Sequence, residues 1–172
     1  MNKMFEKIDV KEIKESPIKM IGYDSFLLTA GTIKSYNTMT AAWGGIGFLW
    51  NKPVVYCFIR PTRYTYSFFE NADFFSLCFF SEEHKNILNY CGTKSGRDVD
   101  KEKNTGLIPL EGEYKTIIFE QSRLVMECKK IYFDDIKPEH FLDASIDKHY
   151  NNDYHRMYIG EILNCFRKKD KK

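Results

Sequence analysis

Two short segments of the sequence combine side chains that could bind an anionic ligand. One runs from Asn37 to Ala41 and places small and hydroxyl-bearing side chains between two predicted strands, where backbone amides can face a ligand. The other runs from Arg60 to Thr65 and places two guanidinium groups and two threonine hydroxyls at a predicted helix start. Free amides and the helix dipole favour a phosphate there, and arginine adds a bidentate, permanently charged partner. The same residues also fit an ordinary capped helix with solvated arginines.

The composition describes a folded domain and argues against several classes of partner. The 172 residues suit one domain, and 43% hydrophobic with 29% charged residues argues against disorder. A net charge of +2 is too small for a nucleic-acid-binding surface, and no apolar run reaches the length of a membrane span. Aromatic residues, at 16%, favour a dense β core or flat surfaces against which a planar ligand stacks.

The cysteines and the N-terminal residues indicate the cellular compartment of the protein. The five cysteines form no C-x-x-C pair, which is typical of reduced thiols rather than of a disulfide framework. Residues 1–6 lack the apolar run of a signal peptide, so we expect a cytoplasmic protein. Cys57, Cys78 and Cys128 fall in predicted strands and are expected in the core. Cys91, beside a helix end, is expected to be the most exposed thiol.

The elements that must position the two segments are mostly strands. Strands are predicted at residues 25–33, 39–43, 54–60, 74–80, 115–119, 123–133 and 156–166, and helices at 10–14, 62–70, 81–91 and 99–104. Thr62 is placed to cap the second helix, and residues 44–47 are expected to form a flexible, glycine-rich connection. The absence of a regular βαβ alternation favours a mainly β fold, a small barrel with inserted helices, over a doubly wound sheet.

Three parts are expected along the chain. Residues 1–16 form a polar N-terminal extension, residues 17–166 the folded domain, and residues 167–172 a solvated basic tail. A polar loop near the C-terminal end holds a few histidines and aspartates without the spacing of metal ligands, so no metal site is expected. These residues are His140, Asp143, Asp147 and His149.

Four motifs, in order along the chain, resemble those of one protein family. Residues 37–43 (NTMTAAW) resemble an N-x-M-T-A segment, and residues 52–55 (KPVV) resemble the proline-led strand that follows it. Residues 59–66 (IRPTRYTY) are similar to an R-Y-T variant, and residues 155–162 (HRMYIGEI) to a closing H-x-x-x-I-G-E strand. From about Asp24 to Phe166 the chain therefore resembles the flavin reductase-like, FMN-binding split-barrel family and its flavoredoxin-like subgroup.

The resemblance implies a split β-barrel that binds FMN non-covalently and works as a homodimer, with the flavin near the subunit interface. At the isoalloxazine edge and ribityl chain it implies Asn37, Thr38, Met39 and Thr40, with Ala41 in the same motif and Trp43 as a wall. At the phosphate end it implies Arg60, Arg63, Tyr64 and Thr65. Many family members have Lys-Asp-Thr at positions 63–65, which leaves the partner of Tyr64 open. A loop at 91–100, resembling one that closes near the flavin, adds Lys94, Ser95 and Arg97.

The activity implied by the resemblance is that of an NAD(P)H-dependent flavin oxidoreductase. Hydride would pass from a nicotinamide to bound FMN, and electrons would pass on to an acceptor. His155 would reach the nicotinamide or the flavin, or else it is a histidine packed at a strand start. Two alternatives belong to other classes: a flavoredoxin-type electron carrier fed by a protein partner, and a non-enzymatic barrel that holds haem or another ligand. A pyridoxamine phosphate oxidase-like activity is a further alternative within the same broad fold.

Overall fold

The computed structural model describes residues 4–169 and shows a chain built mainly from strands. The strands are β1 (Phe5–Ile8), β2 (Phe26–Thr32), β3 (Ser35–Ala41), β4 (Gly44–Leu49), β5 (Lys52–Ile59), β6 (Phe74–Phe79), β7 (Pro109–Glu111), β8 (Ile117–Phe119), β9 (Leu124–Asp135) and β10 (Arg156–Lys168). The α-helices are α1 (Thr65–Asn71), α2 (Lys85–Thr93) and α3 (Lys101–Thr105). Short 3-10 turns lie at Val10–Glu12, Glu82–His84, Pro138–His140 and Ala144–His149, and a π-helical turn at Lys19–Asp24.

The main sheet has eight strands, seven of them in the order β3-β2-β6-β9-β10-β5-β4, and β1 adds to β10 beside β5. Every pairing in it is antiparallel. The order leaves β3 and β4 as the two ends of the path. The predicted mainly β fold with inserted helices is therefore confirmed, and one end of its sheet carries the segment 37–41.

The long strand β10 joins the two halves of the sheet. One side of β10 pairs with β9, while the other pairs first with β5 and then with β1. The pairing with β9 shifts register twice, and one shift falls at Gly160. A side chain at Gly160 would overlap the ring of Phe75, so only glycine fits this close approach. The absence of a side chain at Gly160 therefore lets β10 pack directly against this buried ring.

Two apolar clusters cover the two faces of β2. Phe26 and Leu28 belong to the cluster inside the curved sheet, whereas Leu27 belongs to a second cluster beneath α2 and β8. This alternation follows from the two-residue period of a strand. Because β2 is packed on both faces, it is a rigid support for the neighbouring strand β3. The candidate residues on β3 are therefore held in fixed positions.

The glycine-rich segment expected to be a flexible connection is instead the strand β4, which pairs with β5 along its whole length. The hairpin closes through Trp50 and Asn51, whose φ angles of 51° and 57° are those of a two-residue turn that matches strand twist. Neither residue is glycine, so the sequence pattern gave a weak turn signal. Pairing with β5 is what orders the glycines.

Four other local predictions also differ from the structure. Residues 37–41 lie within a strand rather than between two strands, because β3 begins at Ser35 and pairs with β2. The helix α1 begins at Thr65, so Thr62 does not cap it. The strand β1 lies inside the segment expected to be an extension, and β10 continues past residue 166 to Lys168.

Residues 4–169 contain neither a membrane-spanning helix nor a cluster of metal-binding side chains. No helix within that range is long and apolar enough to cross a membrane. The same residues contain no group of three or more histidine, cysteine, aspartate or glutamate side chains placed to hold a metal ion.

Candidate functional site

The edge strand β3 presents alternate side chains to the two faces of the sheet. Asn37 Nδ2 donates to Thr65 Oγ1 at 2.6 Å, and Met39 packs against the inner apolar cluster. On the opposite face, the Thr38 and Thr29 hydroxyls are 2.8 Å apart, and Thr40 Oγ1 donates to Leu88 O at 2.5 Å. The motif is thus fastened to α1 on one face and to α2 on the other.

A buried lysine contacts the edge of β3 that does not pair with β2, called the free edge below. Lys101 is 8% exposed, and its Nζ donates to Thr38 O at 2.6 Å and to Cys91 O at 3.1 Å. The Thr38 carbonyl therefore points away from β2, and the two-residue period directs the main chain of Thr40 the same way. Burial lowers the pKa of Lys101, and the charge of Arg63 lowers it further. Sequence reasoning missed Lys101, because a lone lysine in a charged stretch gives no sign of burial.

A pocket of about 280 Å³ brings together three segments that are far apart in sequence. Its lining residues are Met39, Thr40, Ala41, Ala42, Trp43, Phe58, Arg60, Arg63 and His155. Trp43 is 47% exposed, and the centroid of its ring lies 5.0 Å from that of His155. Of these residues, only Ala42 and Phe58 were not among the sequence candidates. Ala42 lies inside the motif 37–43, and Phe58 lies on β5 opposite Met157 of the closing motif.

His155 is an uncharged side chain at neutral pH. It is 8% exposed, and burial together with the charges of Arg60 and Arg63 lowers its pKa to about 4. Its Nδ1 lies 3.1 Å from the hydroxyl of Tyr150, and its ring packs edge-on to Phe58 with centroids 6.4 Å apart. His155 can therefore exchange hydrogen bonds with a ligand but adds no positive charge to the pocket.

The two arginines that line the pocket differ in the partners of their guanidinium groups. Arg60 donates to Asp153 Oδ2 at 2.8 Å and to His149 O at 2.7 Å, and its guanidinium lies 5.2 Å from the ring centroid of Tyr150. Arg63 is exposed, and its guanidinium makes no hydrogen bond or ion pair with any of the residues 4–169. Arg60 thus holds the 149–153 segment in place, while Arg63 keeps its donors available for a ligand.

Tyr64 and Thr65 do not line this pocket. Thr65 is 1% exposed and accepts the hydrogen bond from Asn37. Tyr64 lines a separate cleft, and the Arg97 guanidinium lies 5.2 Å from its ring centroid. The turn that contains Arg63 closes through a hydrogen bond from Arg63 N to Arg60 O at 3.0 Å. This turn sends the arginines and Tyr64 to different sides.

The loop after α2 lies beside Asn37. A side chain at Gly96 would overlap Asn37 Oδ1, so the loop backbone approaches that amide closely. Lys94 N–H caps α2 by donating to Tyr90 O at 2.9 Å, and Ser95 Oγ accepts from Arg97 N at 3.2 Å. Lys94 and Ser95 do not line the 280 Å³ pocket.

The expectation for Cys91 is wrong. Cys91 is 2% exposed, because α2 turns it towards the apolar cluster beneath β2, and burial raises its pKa to about 11. All five cysteines are buried and unpaired. None of these thiols is placed for chemistry at the pocket.

Comparison with known proteins identifies the family of this chain. A family model described as a flavin reductase-like domain matches residues 21–172. No curated protein matches the chain.

Three solved structures show the same fold at low sequence identity. Flavoredoxin of Desulfovibrio vulgaris (Miyazaki F) is 23% identical, with 96% of this chain and 78% of that chain covered and a TM-score of 0.67. The FMN-binding protein from Thermus thermophilus is 18% identical, with 94% and 83% covered and a TM-score of 0.67. The NADH:FAD oxidoreductase of Streptomyces globisporus is 12% identical, with 84% and 75% covered and a TM-score of 0.64. The family match over residues 21–172 confirms the resemblance of the motifs, and the chain belongs to the flavin reductase-like family, with the split-barrel fold of its neighbours.

Proposed function

We propose that this chain binds FMN non-covalently in the 280 Å³ pocket and acts as an NAD(P)H-dependent flavin oxidoreductase. The observation that carries the proposal is the convergence of Trp43, Arg63 and His155, from three separate motifs, on one pocket. Its donor set suits FMN. The unpaired guanidinium of Arg63 suits a phosphate, and the free edge of β3 offers main-chain groups to a polar ring edge.

The chain's own residues would bind and orient the cofactor. Trp43 offers a large apolar ring face beside the neutral imidazole of His155, which suits a planar ring. Thr38 would present its main-chain N–H and Thr40 its main-chain groups, and Asn37 would fix the strand through Thr65. Lys94 and Ser95 would contribute from the loop beside Asn37. The bound flavin would supply the hydride and electron transfer.

Three further residues of the proposed site hold its other parts in place. These are Arg60, Tyr64 and Thr65. Arg60 holds the 149–153 segment, including the carbonyl of His149, close to the pocket. Thr65 anchors Asn37, and Tyr64 supports the loop through Arg97. His155 would face the nicotinamide or the flavin as a neutral hydrogen-bonding group.

A homodimer and a cytoplasmic location belong to the same proposal. Two large aromatic side chains are exposed side by side, since Trp50 of the β4–β5 turn packs against Tyr132 of β9 at 6.0 Å between centroids. An exposed aromatic face of this kind is typical of an interaction surface. The buried, unpaired cysteines favour a reducing compartment. Light scattering on the purified protein would measure the oligomeric state.

A flavoredoxin-type electron carrier is the second candidate. The similarity to the flavoredoxin of Desulfovibrio vulgaris and the R-Y-T sequence at Arg63–Thr65 favour it. A carrier would take its electrons from a protein partner and would have little affinity for NAD(P)H. A non-enzymatic barrel for haem or another ligand would take up no FMN.

One anaerobic experiment separates these candidates. The absorbance spectrum of the FMN-reconstituted protein is recorded before and after adding NADH, and separately NADPH. Rapid bleaching of the flavin band supports the oxidoreductase and identifies the donor. A flavin band that persists supports the carrier, and protein that takes up no FMN contradicts flavin binding itself.

A further inference from the structure

A second, larger cleft of about 680 Å³ opens between α1, the β2–β3 hairpin and the β7–β8 turn. Its volume falls within the roughly 300–1,000 Å³ of small-molecule sites. Four aromatic side chains and two charged ones line it, and only Tyr64 was among the residues expected to bind the flavin. These six are Tyr64, Phe68, Asp73, Phe74, Tyr114 and Lys115.

The aromatic rings of this cleft form two pairs. The rings of Phe74 and Tyr114 are stacked, with centroids 5.4 Å apart and an interplanar angle of 19°. Tyr64 and Phe68 meet edge to face at 5.2 Å. Tyr114 is 39% exposed, so a planar ring could extend the stack. Stacking on an exposed aromatic face is how proteins hold a nucleobase without reading its identity.

Two charged side chains at the cleft suit the ribose and the phosphate of a nucleotide. Asp73 and Lys115 are exposed, and neither side chain forms an ion pair with any residue in the range 4–169. An aspartate carboxylate can accept hydrogen bonds from ribose hydroxyls. A lysine ammonium pairs with phosphate as a point charge. A base, a ribose diol and a phosphate together describe an adenosine phosphate.

The cleft and the flavin pocket lie towards opposite ends of β3. Ser35 lines the cleft and Met39 lines the flavin pocket, an even number of residues apart. At about 3.4 Å per residue the two positions are roughly 14 Å from each other. Arg63 and Arg97 flank the boundary between them, since Arg63 lines the pocket and Arg97 lies over Tyr64 of the cleft. A ligand with a ring at each end and phosphates in the middle matches this order of groups.

We infer that the 680 Å³ cleft binds the adenosine end of a dinucleotide, which is either FAD or NAD(P)H. The inference rests on the proposed flavin pocket for the other end of the ligand. In either case the adenine stacks on Tyr114, Asp73 accepts from the ribose, and Lys115 and the arginines face the phosphates.

The first test uses 5′-AMP as the probe, so that it does not depend on flavin binding. Calorimetry measures the affinity of flavin-free protein for 5′-AMP in the wild type and in Tyr114→Ala. The Tyr114 main-chain N–H that donates to Glu127 Oε1 remains in the variant, so its turn is kept. Loss of one stacked base predicts an affinity about tenfold lower. Tyr23→Ala, at a tyrosine that is 78% exposed elsewhere, is the control and should leave the affinity unchanged.

The second test identifies which dinucleotide supplies the adenosine. If FAD does, the wild type binds FAD more tightly than FMN, and Tyr114→Ala weakens FAD about tenfold while leaving FMN unchanged. If NAD(P)H does, Tyr114→Ala raises the KM for the dinucleotide but not for reduced nicotinamide mononucleotide. The inference is overturned if the variant changes none of these quantities, or if it weakens FMN and FAD equally. Failure of the wild type to bind FMN would contradict the flavin pocket instead, and the 5′-AMP result would still decide the role of the cleft.

Discussion

Asn37 and Thr65 are joined by a buried hydrogen bond of 2.6 Å, which connects the edge strand β3 to the first residue of α1. The bond links the two segments that the sequence analysis singled out for ligand binding. It also positions Asn37 against the loop at Gly96. Both side chains are therefore structural supports of the pocket as well as candidate ligand contacts.

We expect this hydrogen bond to contribute measurably to stability. Asn37→Ala leaves the buried Thr65 hydroxyl without its donor and should lower the free energy of unfolding by about 1–3 kcal/mol. Urea denaturation of Asn37→Ala, Thr65→Val and the double variant gives a thermodynamic cycle. We expect a coupling energy of at least about 0.5 kcal/mol, and strictly additive losses would contradict a direct bond between the two side chains.

Arg63 and Arg60 should have separable effects on FMN. Arg63→Ala removes an unpaired guanidinium and should weaken FMN binding by about 1.5–3 kcal/mol, which is roughly tenfold or more. Arg60→Ala removes the pair with Asp153 and should mainly lower stability. Fluorescence titration with FMN measures the first effect and urea unfolding the second.

The control for the arginine prediction is Lys129→Ala, which removes an exposed positive charge on β9. It should leave FMN affinity within about twofold, since exposed charges are screened by solvent and salt. Equal losses for Arg63→Ala and Lys129→Ala would mean that only net charge matters, and would contradict a phosphate site at Arg63.

The loop at Gly96 should not tolerate a side chain. Gly96→Ala would place a methyl group on Asn37 Oδ1 and should destabilise the fold by about 1–3 kcal/mol. The matched control is Gly22→Ala, because a methyl group at Gly22 meets no atom within 4 Å. Thermal unfolding measures both variants, and equal midpoints for the two would show that the loop does not pack against Asn37.

His155 should remain uncharged well below its ordinary pKa. The pKa of His155 is lowered from 6.5 to about 4 by burial, so the unfolded chain binds a proton that the folded chain does not. Its contribution to stability is fully present above pH 6.5 and is lost as the pH falls from 6.5 to about 4. His155→Phe should therefore flatten the decline of stability over that window.

The imidazole signals of His155 provide the direct check by NMR. They should show no titration between pH 7 and pH 5, because the pKa of His155 is lowered to about 4. A midpoint near 6.5 for His155 would contradict the buried, neutral imidazole.

Local sequence patterns predicted the strands 54–60, 74–80 and 156–166 because their runs of apolar residues are buried in place. The strand β4 was missed because its glycines carry no strand preference, and pairing with β5 alone orders them. The burial of Lys101 and Cys91 was missed for a related reason. Lys101 is buried by contacts of α3 with β3, and Cys91 by contacts of α2 with the sheet, and both sets of contacts connect residues far apart in sequence.

The sequence motifs predicted which residues form the candidate site, but not how all of those residues are arranged. The motifs named Trp43, Arg63 and His155, and the structure places all three on one pocket. The motifs could not show that Tyr64 lines the other cleft, because that depends on the turn after Arg60. Side-chain direction within a turn follows from backbone geometry that residue spacing does not encode.

The most direct test of the proposed flavin site uses the two tryptophans of the chain as separate reporters. In Trp50→Phe, the remaining emission comes from Trp43 in the pocket, and in Trp43→Phe it comes from Trp50 on the β4–β5 turn. Titration with FMN should quench the emission of Trp50→Phe strongly, saturating at one FMN per chain, and should change that of Trp43→Phe much less. Stoichiometric FMN binding that leaves the Trp43 emission unchanged would contradict the assignment of this pocket.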